Sequence, residues 1–263
     1  MTKKYAVIGN PISHSLSPIM HEANFRSLNL LATYELKQVE NLSQEIESLK
    51  LLDGFNVTLP FKQEIMPYLS DIDPLAKQIG AVNTVKKEAG RLVGYNTDAD
   101  GFYDSFEPFE VKKNDAILIL GAGGAARAVY YALVNRGYKN ITIANRTLDK
   151  AKDLCDNSIS LMHAGEKLAT FQCIINTTSV GLVEGECPIN LKYLNSDHIV
   201  MDLIYKPKLT TLLCHAKSLN CRYKNGLEML LIQGAKAFEI WYGQSADLAV
   251  MKKQLEVELY VNR

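Results

Sequence analysis

Polar side chains stand where short apolar runs end in the first hundred residues. The stretch NVTLPFK (56–62) alternates like a strand as far as Leu59, and it then delivers Lys62 close to two hydrogen-bonding side chains, Asn56 and Thr58. The carboxyl end of a strand is where α/β sheets usually bind a ligand. A cation placed there could exchange a proton with the ligand or act as a fixed positive charge beside it.

Three further clusters follow the same pattern. In GNPISHSLSP (9–18), the hydroxyls of Ser15 and Ser17 stand at the start of an expected helix, where they suit a carboxylate; Ser17 is equally well explained as the helix N-cap. The segments GAVNTV (80–85) and GYNTDADGF (94–102) contribute Asn83, Asn96, Asp98 and Asp100. One of the two aspartates, Asp98 or Asp100, is also explained as the cap of the helix that follows.

The most specific spacing lies in AILILGAGGAARAVYYALVNRG (116–137), where an apolar strand runs into a G-x-G-x-x-A turn at 121–126. Gly121 permits the tight turn, Gly123 lets a pyrophosphate approach the backbone, and Ala126 lets helix and strand pack closely. The pattern therefore predicts a dinucleotide site rather than a merely structural turn. The helix after the turn is expected to bury Ala125, Ala128, Val129, Ala132 and Leu133.

The end of the next expected strand favours one cofactor. A site for NAD usually places Asp or Glu there to hold the ribose 2′-hydroxyl. This chain has Asn145, Arg146 and Thr147, with Lys150 one turn later. Because a guanidinium binds phosphate and stacks on adenine, the site is predicted to prefer NADP. The alternative is that Arg146 and Lys150 are solvated surface charges.

The elements that must position these residues alternate along the chain, which predicts parallel strands with helical crossovers. A polar, proline-containing segment (107–116) marks a domain boundary near residue 102. Pro18 is expected at the first position of its helix. Strands are expected at 5–9, 33–39, 54–59, 116–120, 140–145, 173–178 and 198–205, and helices at 17–30, 43–52 and 227–243.

Composition narrows the class of protein. The 263 residues carry 29 basic and 29 acidic side chains, so no net field recruits nucleic acid or an anionic membrane. Five cysteines without CxxC spacing argue against a disulfide framework or a zinc site. The histidines match no metal motif, and no metal is expected. These features predict a cytoplasmic protein that binds neither nucleic acid nor a membrane. A monomer or homodimer is expected, and the sequence does not distinguish the two.

Taken together, the motifs resemble the shikimate dehydrogenase family nearly end to end. They are GNPISHSLSP, NVTLPFK, GAVNT, GYNTDADGF, GAGGAARA, NRT, NTTSVG, DLIYKPKLTTLL and NGLEMLLIQGAKAFEIWYG, in the family's order and at about its spacing. The resemblance implies that Lys62 and Asp98, rather than Asp100, form the catalytic pair.

The resemblance also assigns the ligands. Ser15 and Ser17 would hold the substrate carboxylate, while Thr58, Asn83 and Asp98 would bind ring hydroxyls. Gln233, a polar group in an apolar helical stripe that needs a partner, would join them, and Tyr205 is a further substrate candidate. The cofactor residues would be Gly121, Ala122, Gly123, Gly124, Ala125, Asn145, Arg146, Thr147, Lys150, Thr177, Leu203 and Gly226.

The implied protein is a two-domain α/β enzyme. An N-terminal α/β substrate domain (1–102 with C-terminal helices, about 227–263) would accompany a Rossmann-type doubly wound NADP-binding domain (103–226), with a C-terminal helix closing the cleft. The implied reaction is the NADPH-dependent reduction of 3-dehydroshikimate to shikimate in aromatic amino-acid biosynthesis. Alternatives are a paralogue that uses quinate or NAD, a sensor of the same fold without turnover, and, less favoured, a methylenetetrahydrofolate-type dehydrogenase.

Overall fold

A computed structural model describes residues 2–260. These residues form two compact units, which we call unit 1 (2–101 and 231–260) and unit 2 (102–230). The limits between them fall inside two helices, α4 (Asp98–Phe106) and α9 (Leu227–Tyr242).

Unit 1 is built on a six-stranded mixed sheet. Its strands are β1 (Lys3–Gly9), β2 (Ala32–Gln38), β3 (Gly54–Val57), β4 (Asp71–Ile72), β5 (Thr84–Glu88) and β6 (Arg91–Tyr95), in the order β2-β1-β3-β5-β6-β4. The first three strands are parallel, as expected, whereas β5 is antiparallel to both of its neighbours. The three strands expected in this unit are thus confirmed as parallel, and the antiparallel β5 was not among the strands expected from the sequence.

The helices of unit 1 bury one face each against the sheet or against one another. Besides α4 and α9, they are α1 (Ser17–Ser27), α2 (Leu42–Leu49), α3 (Pro74–Ile79) and α10 (Leu248–Tyr260). Pro18 stands in the first turn of α1, where its missing N–H costs nothing. Helix α10 packs on α1, and the Asp247 N–H donates to the Asn24 side chain.

Unit 2 contains an entirely parallel six-stranded sheet of the order β12-β11-β10-β7-β8-β9. The four central strands bury every residue but one, which explains their continuous apolar sequences. The strands are β7 (Ile117–Leu120), β8 (Ile141–Asn145), β9 (Ser158–Ser160), β10 (Cys173–Asn176), β11 (Ile199–Asp202) and β12 (Arg222–Lys224). The helices are α5 (Gly124–Val134), α6 (Leu148–Lys152), α7 (Leu161–Glu166) and α8 (Thr211–Ser218).

Three local expectations need correction. Leu16, not Ser17, is the N-cap of α1, and Ser17 is its first residue. The third strand ends at Val57, so Thr58 and Leu59 belong to the turn that leads to Lys62. Ala125 is only half-buried because Ala126 takes its place on the packed face of α5. No helix among residues 2–260 is long and apolar enough to cross a membrane.

Candidate active site

Strand direction explains why the polar clusters of unit 1 meet. Asn56 on β3 lies opposite Thr84 on β5, and Thr84 lies opposite Tyr95 on β6. Because β5 runs against β3 and β6, its amino end lies at the same edge as their carboxyl ends. Segments 58–62, 83–84 and 96–98 therefore emerge side by side.

The centre of this edge is an ion pair. The Lys62 Nζ lies 2.7 Å from the Asp98 Oδ2, and the two side chains are only 14% and 7% exposed. Asp98 is the first residue of α4. The Asn96 side chain caps that helix by accepting from the N–H groups of Asp98 and Ala99, so neither aspartate of the segment is the cap. The Asp98 carboxylate is thereby left for Lys62.

Asn83 holds the second oxygen of Asp98. Its Nδ2 donates to the Asp98 Oδ1 at 2.9 Å and to the Thr97 hydroxyl at 2.9 Å. Its Oδ1 accepts from the Thr97 N–H at 2.8 Å, which fixes the orientation of the amide. Asn83 is 2% exposed. Lys62, Asp98 and Asn83, three of the predicted catalytic and hydroxyl-binding residues, are thus brought together in one hydrogen-bonded group.

Gln233 of α9 joins this group from the far end of the chain. Its Oε1 lies 3.4 Å from the Asn83 Nδ2. Asn83 therefore supplies one hydrogen-bond partner for a polar side chain that lies in an apolar stripe of its helix. Gly101 makes the approach possible, since a Cβ there would lie 2.8 Å from that of Gln233. Further along α9, the Trp241 Nε1 donates to the Val85 carbonyl at 2.9 Å and anchors the helix on β5.

The two serines form a separate pair in the loop before α1. The Ser15 hydroxyl donates to the Ser17 hydroxyl at 3.2 Å and accepts from the Ser17 N–H at 3.3 Å. Ser15 therefore supplies the side-chain contact at the start of α1. Thr58 lies in the turn before Lys62, where its N–H donates to the Ile8 carbonyl at 2.9 Å.

The cofactor residues predicted in unit 2 lie at or just beyond the carboxyl ends of five parallel strands, β7, β8, β10, β11 and β12. Gly121 follows β7 with φ +110°, a backbone conformation that L side chains rarely adopt. The Thr177 hydroxyl, after β10, donates to the Leu120 carbonyl at 2.6 Å. After β8, the Asn145 side chain donates to the Thr147 carbonyl at 2.8 Å. Arg146 and Lys150 are exposed at that strand end.

A dinucleotide fits this edge. A Cβ on Gly123 would meet no atom within 4 Å, so the backbone at the start of α5 is open to close approach by a phosphate. Ala122, Gly124 and Ala125 continue the turn into α5. The exposed guanidinium of Arg146 is the kind of group that binds a ribose 2′-phosphate. Gly226 has a packing role in addition, since a Cβ there would collide with the Leu203 carbonyl.

A buried aspartate beneath this edge was missed by sequence reasoning. The Asp202 Oδ1 accepts from the Asn176 Nδ2 and from the Ile204 N–H, both at 3.0 Å, and its Oδ2 accepts from the Thr210 hydroxyl at 2.7 Å. Burial raises the pKa of Asp202, while these three hydrogen bonds oppose that rise. The network joins the loops that follow β10 and β11.

Comparison with known proteins decides the family. Three family models match: the shikimate dehydrogenase substrate binding domain (residues 7–85), shikimate / quinate 5-dehydrogenase (106–181) and the shikimate 5′-dehydrogenase C-terminal domain (226–256). The chain is 46% identical to the shikimate dehydrogenase (NADP(+)) of Bacillus cereus over 96% of its own length and 97% of that protein's. The chain belongs to the shikimate dehydrogenase family.

Solved structures of the family agree with the fold. The shikimate dehydrogenase of Aquifex aeolicus has a TM-score of 0.90 at 42% identity and covers 97% of each chain. The Thermus thermophilus enzyme, solved in complex with NADP(H) and shikimate, has a TM-score of 0.88 at 35% identity, over 96% of this chain and 98% of its own. The predicted family, α/β fold and oxidoreductase class are confirmed.

Family membership leaves the individual residue roles as predictions. Lys62, Asp98, Asn83 and Gln233 lie together in unit 1. Tyr205 belongs to unit 2, with Thr177 and Leu203, so its place among the substrate residues is not tested. Asn56 was noticed in the sequence only as a neighbour of Lys62, and its partners Tyr34 and Thr84 were not noticed.

Proposed function

We propose that this enzyme catalyses the NADPH-dependent, reversible reduction of 3-dehydroshikimate to shikimate in aromatic amino-acid biosynthesis. The observation that carries the proposal is the largely buried Lys62–Asp98 pair, whose carboxylate is held by Asn83 on its other oxygen. A cation fixed in this way beside hydrogen-bonding side chains suits a ketone that becomes an alcohol.

The protein's own residues have two tasks in this reaction. Ser15 and Ser17 bind the substrate carboxylate, while Thr58, Asn83, Asp98 and Gln233 hold the ring hydroxyls, which orients the 3-keto group. Lys62 lies beside the keto oxygen, stabilises the negative charge that develops there, and supplies the proton. In the reverse direction it removes the proton from the 3-hydroxyl. Asp98 holds the ammonium of Lys62 in position.

The cofactor is NADP, which supplies the hydride when it is bound. The backbone at 121–125 and the start of α5 would hold its pyrophosphate. Asn145, Arg146, Thr147 and Lys150 would surround the 2′-phosphate, and an exposed guanidinium distinguishes this site from one built for NAD. Thr177, Leu203 and Gly226 would line the cofactor further along the same strand ends, and Tyr205 is proposed as a further substrate-binding residue.

Spectrophotometry at the reduced-nicotinamide band tests the proposal. Purified enzyme is mixed with shikimate and either NADP⁺ or NAD⁺, and both reactions are repeated with quinate. Rapid reduction of NADP⁺ with shikimate only is expected. Turnover with quinate or NAD⁺ would reassign the enzyme to the quinate branch of the family, and no turnover with any pair would favour a sensor of the same fold. The cytoplasmic location and the monomeric or homodimeric state stay predictions.

A further inference from the structure

Three buried polar side chains of unit 1 have no part in the proposed site. Tyr34 is 3% exposed, Asn56 is 6% exposed and Thr84 is fully buried. They lie on three different strands, β2, β3 and β5. A buried polar group costs free energy unless it is hydrogen-bonded, so the partners of these three side chains are informative.

The three side chains are joined in series. The Tyr34 hydroxyl donates to the Asn56 Oδ1 at 2.6 Å. The Asn56 Nδ2 donates to the Thr84 Oγ1 at 3.0 Å and to the Asn83 carbonyl at 3.1 Å. The Thr84 hydroxyl then donates to the Asn83 Oδ1 at 3.0 Å. We call Tyr34, Asn56 and Thr84 the buried relay.

The relay has a direction. Burial raises the pKa of Tyr34 well above its usual value, so the phenol keeps its proton and remains a donor. Asn56 must therefore turn its oxygen toward Tyr34 and its nitrogen toward Thr84. The single hydroxyl proton of Thr84 has Asn83 at 3.0 Å, nearer than the Thr97 hydroxyl at 3.3 Å. With its oxygen so occupied, Asn83 presents its nitrogen to Asp98.

The other end of the relay reaches the serine pair. The Ser17 side chain acts on the Tyr34 phenol as a hydrogen-bonding neighbour and opposes the rise that burial causes in the pKa of that phenol. Ser17 is the residue assigned above to the substrate carboxylate. Hydrogen bonds therefore run without a break from Tyr34 through Asn56, Thr84 and Asn83 to Asp98 and Lys62.

We propose that Tyr34, Asn56 and Thr84 are positioning residues: together with the Thr97 N–H they hold the Asn83 amide so that it donates to Asp98, and Tyr34 extends this network toward the carboxylate-binding Ser17. The inference rests on the proposed function for the roles of Ser17 and Lys62. The inference goes beyond that function because it assigns a role to three side chains that do not contact the substrate: they set the orientation of Asn83, which does.

Kinetics of two matched pairs of variants test the relay. Thr84→Val removes the relay hydroxyl, whereas Thr84→Ser keeps it. Tyr34→Phe removes one hydroxyl beside Trp241, and Tyr5→Phe does the same in the same aromatic cluster but outside the relay. We expect Thr84→Val and Tyr34→Phe each to lower kcat about 3- to 10-fold, the scale of one buried hydrogen bond.

The controls and KM separate positioning from general loss of structure. Thr84→Ser and Tyr5→Phe should keep kcat within about twofold of the wild type. KM for shikimate should rise in Tyr34→Phe, which also loses a contact to Ser17, and stay unchanged in Thr84→Val. Wild-type kcat in both Thr84→Val and Tyr34→Phe would overturn the proposal, as would an equal loss in Tyr5→Phe. If Tyr34→Phe does not fold, the Thr84 pair decides.

A measurement without turnover separates this inference from the proposed reaction. The side-chain amide of Asn83 can be observed by ¹⁵N NMR in the free protein and assigned by its loss in Asn83→Asp. Its resonances should move in Tyr34→Phe and Thr84→Val and stay in place in Tyr5→Phe and Thr84→Ser. If the Asn83 amide resonances do not move in Tyr34→Phe and Thr84→Val, the relay is refuted, whatever reaction the protein catalyses. Absence of shikimate oxidation by the wild type would refute only the proposed function.

Discussion

The two predicted binding regions of this molecule differ in the burial of their polar side chains. In unit 1 the polar side chains are buried and bonded to one another, with Asp98 shared between Lys62 and Asn83. In unit 2 the charged side chains assigned to the cofactor, Arg146 and Lys150, are exposed at a strand end. In unit 2 the buried Asp202 lies beneath that edge and accepts hydrogen bonds from Asn176, Ile204 and Thr210.

The difference follows from what each region must recognise. Ring hydroxyls are small and neutral, so selecting them needs donors and acceptors held in fixed directions, which buried, mutually bonded side chains provide. A phosphate is charged and is bound well by an exposed guanidinium and by backbone N–H groups. Substitutions in the two units should therefore have different effects, and five experiments test that contrast.

The largest effect is expected from Lys62→Ala. Because Lys62 supplies the proton and the positive charge, kcat should fall by roughly 10²- to 10⁴-fold. Lys50→Ala, which removes a surface lysine paired with Glu47, is the matched control and should retain the wild-type rate. Steady-state kinetics with shikimate and NADP⁺ measure both variants. A change confined to KM would leave Lys62 a binding role only.

Asp202→Ala should damage unit 2 itself rather than the reaction. The change leaves buried donors from Asn176 and Ile204 without this acceptor, at about 1–3 kcal/mol each, so we expect a loss of about 2–6 kcal/mol. Hydrogen exchange of the β10 and β11 amides measures it. Asp197→Ala, at an exposed position nearby, should cost almost nothing, and equal protection in both variants would contradict the prediction.

Asp202→Asn adds a test by pH. A carboxyl whose pKa is raised in the folded state stabilises the fold below the unfolded value of 3.8, and that contribution is lost as pH rises through the folded pKa. The Asn variant keeps one oxygen for the two N–H donors and lacks this titration. Its stability relative to the wild type should therefore increase as pH rises above 3.8.

Arg146→Gln should alter cofactor choice and little else. Loss of a charge-assisted contact to the 2′-phosphate is expected to lower the preference for NADPH over NADH by about 10- to 100-fold. Stability should be unchanged because the side chain is exposed. The ratio of kcat/KM for the two cofactors measures the effect, with Lys139→Gln, another exposed cation of unit 2, as control. An unchanged ratio would remove Arg146 from the cofactor site.

The smallest effect, a dependence on pH, is expected from His21 in unit 1. Its ring stacks on Tyr34, and neither ring nitrogen has a hydrogen-bond partner among the described residues. Burial lowers the pKa of His21 from 6.5 to about 3. Since only the unfolded chain then gains a proton, the free energy of unfolding should fall by up to about 1.4 kcal/mol per unit as pH drops below 6.5.

The single tryptophan, Trp241, is buried in unit 1 and reports this unfolding by fluorescence. His21→Phe should remove the His21 contribution to the pH dependence, whereas His215→Gln, exposed on α8 in unit 2, should leave the wild-type slope. A slope that is identical in the wild type and in His21→Phe would show that His21 is not buried in its neutral form.

The parallel strands and the glycine-rich turn could be predicted because their signals are local. Buried strands such as β7 and β10 are continuous apolar runs. The β5–β6 hairpin could not be predicted in the same way. Its turn places Ala89 at φ 48° and Gly90 at φ 80°, where Asn-Gly or Asp-Gly is the usual signal. Because alanine rarely adopts this left-handed conformation, Ala89-Gly90 does not indicate a hairpin turn in the sequence.

The candidate active site likewise contains residues that the sequence could predict and residues that it could not. Residues at strand ends, such as Lys62 and Asn83, could be picked out from where apolar runs stop, and the resemblance supplied their pairing with Asp98 and Gln233. Tyr34 could not be found, because its partner Asn56 is 22 residues away on another strand. Asp202 has the appearance of an ordinary strand-end residue until Thr210 and Asn176 surround it. Buried polar networks depend on register between strands, which no single segment specifies.

The anchoring of Trp241 on Val85 has a consequence for how the molecule is made. The two residues are 156 positions apart, and unit 1 is assembled from segments that flank the whole of unit 2. Synthesis proceeds from the amino end, so unit 2 has all of its residues while unit 1 still lacks α9 and α10. Unit 1 is thus begun before unit 2 and completed after it, and Gln233 can reach Asn83 only once α9 has been made.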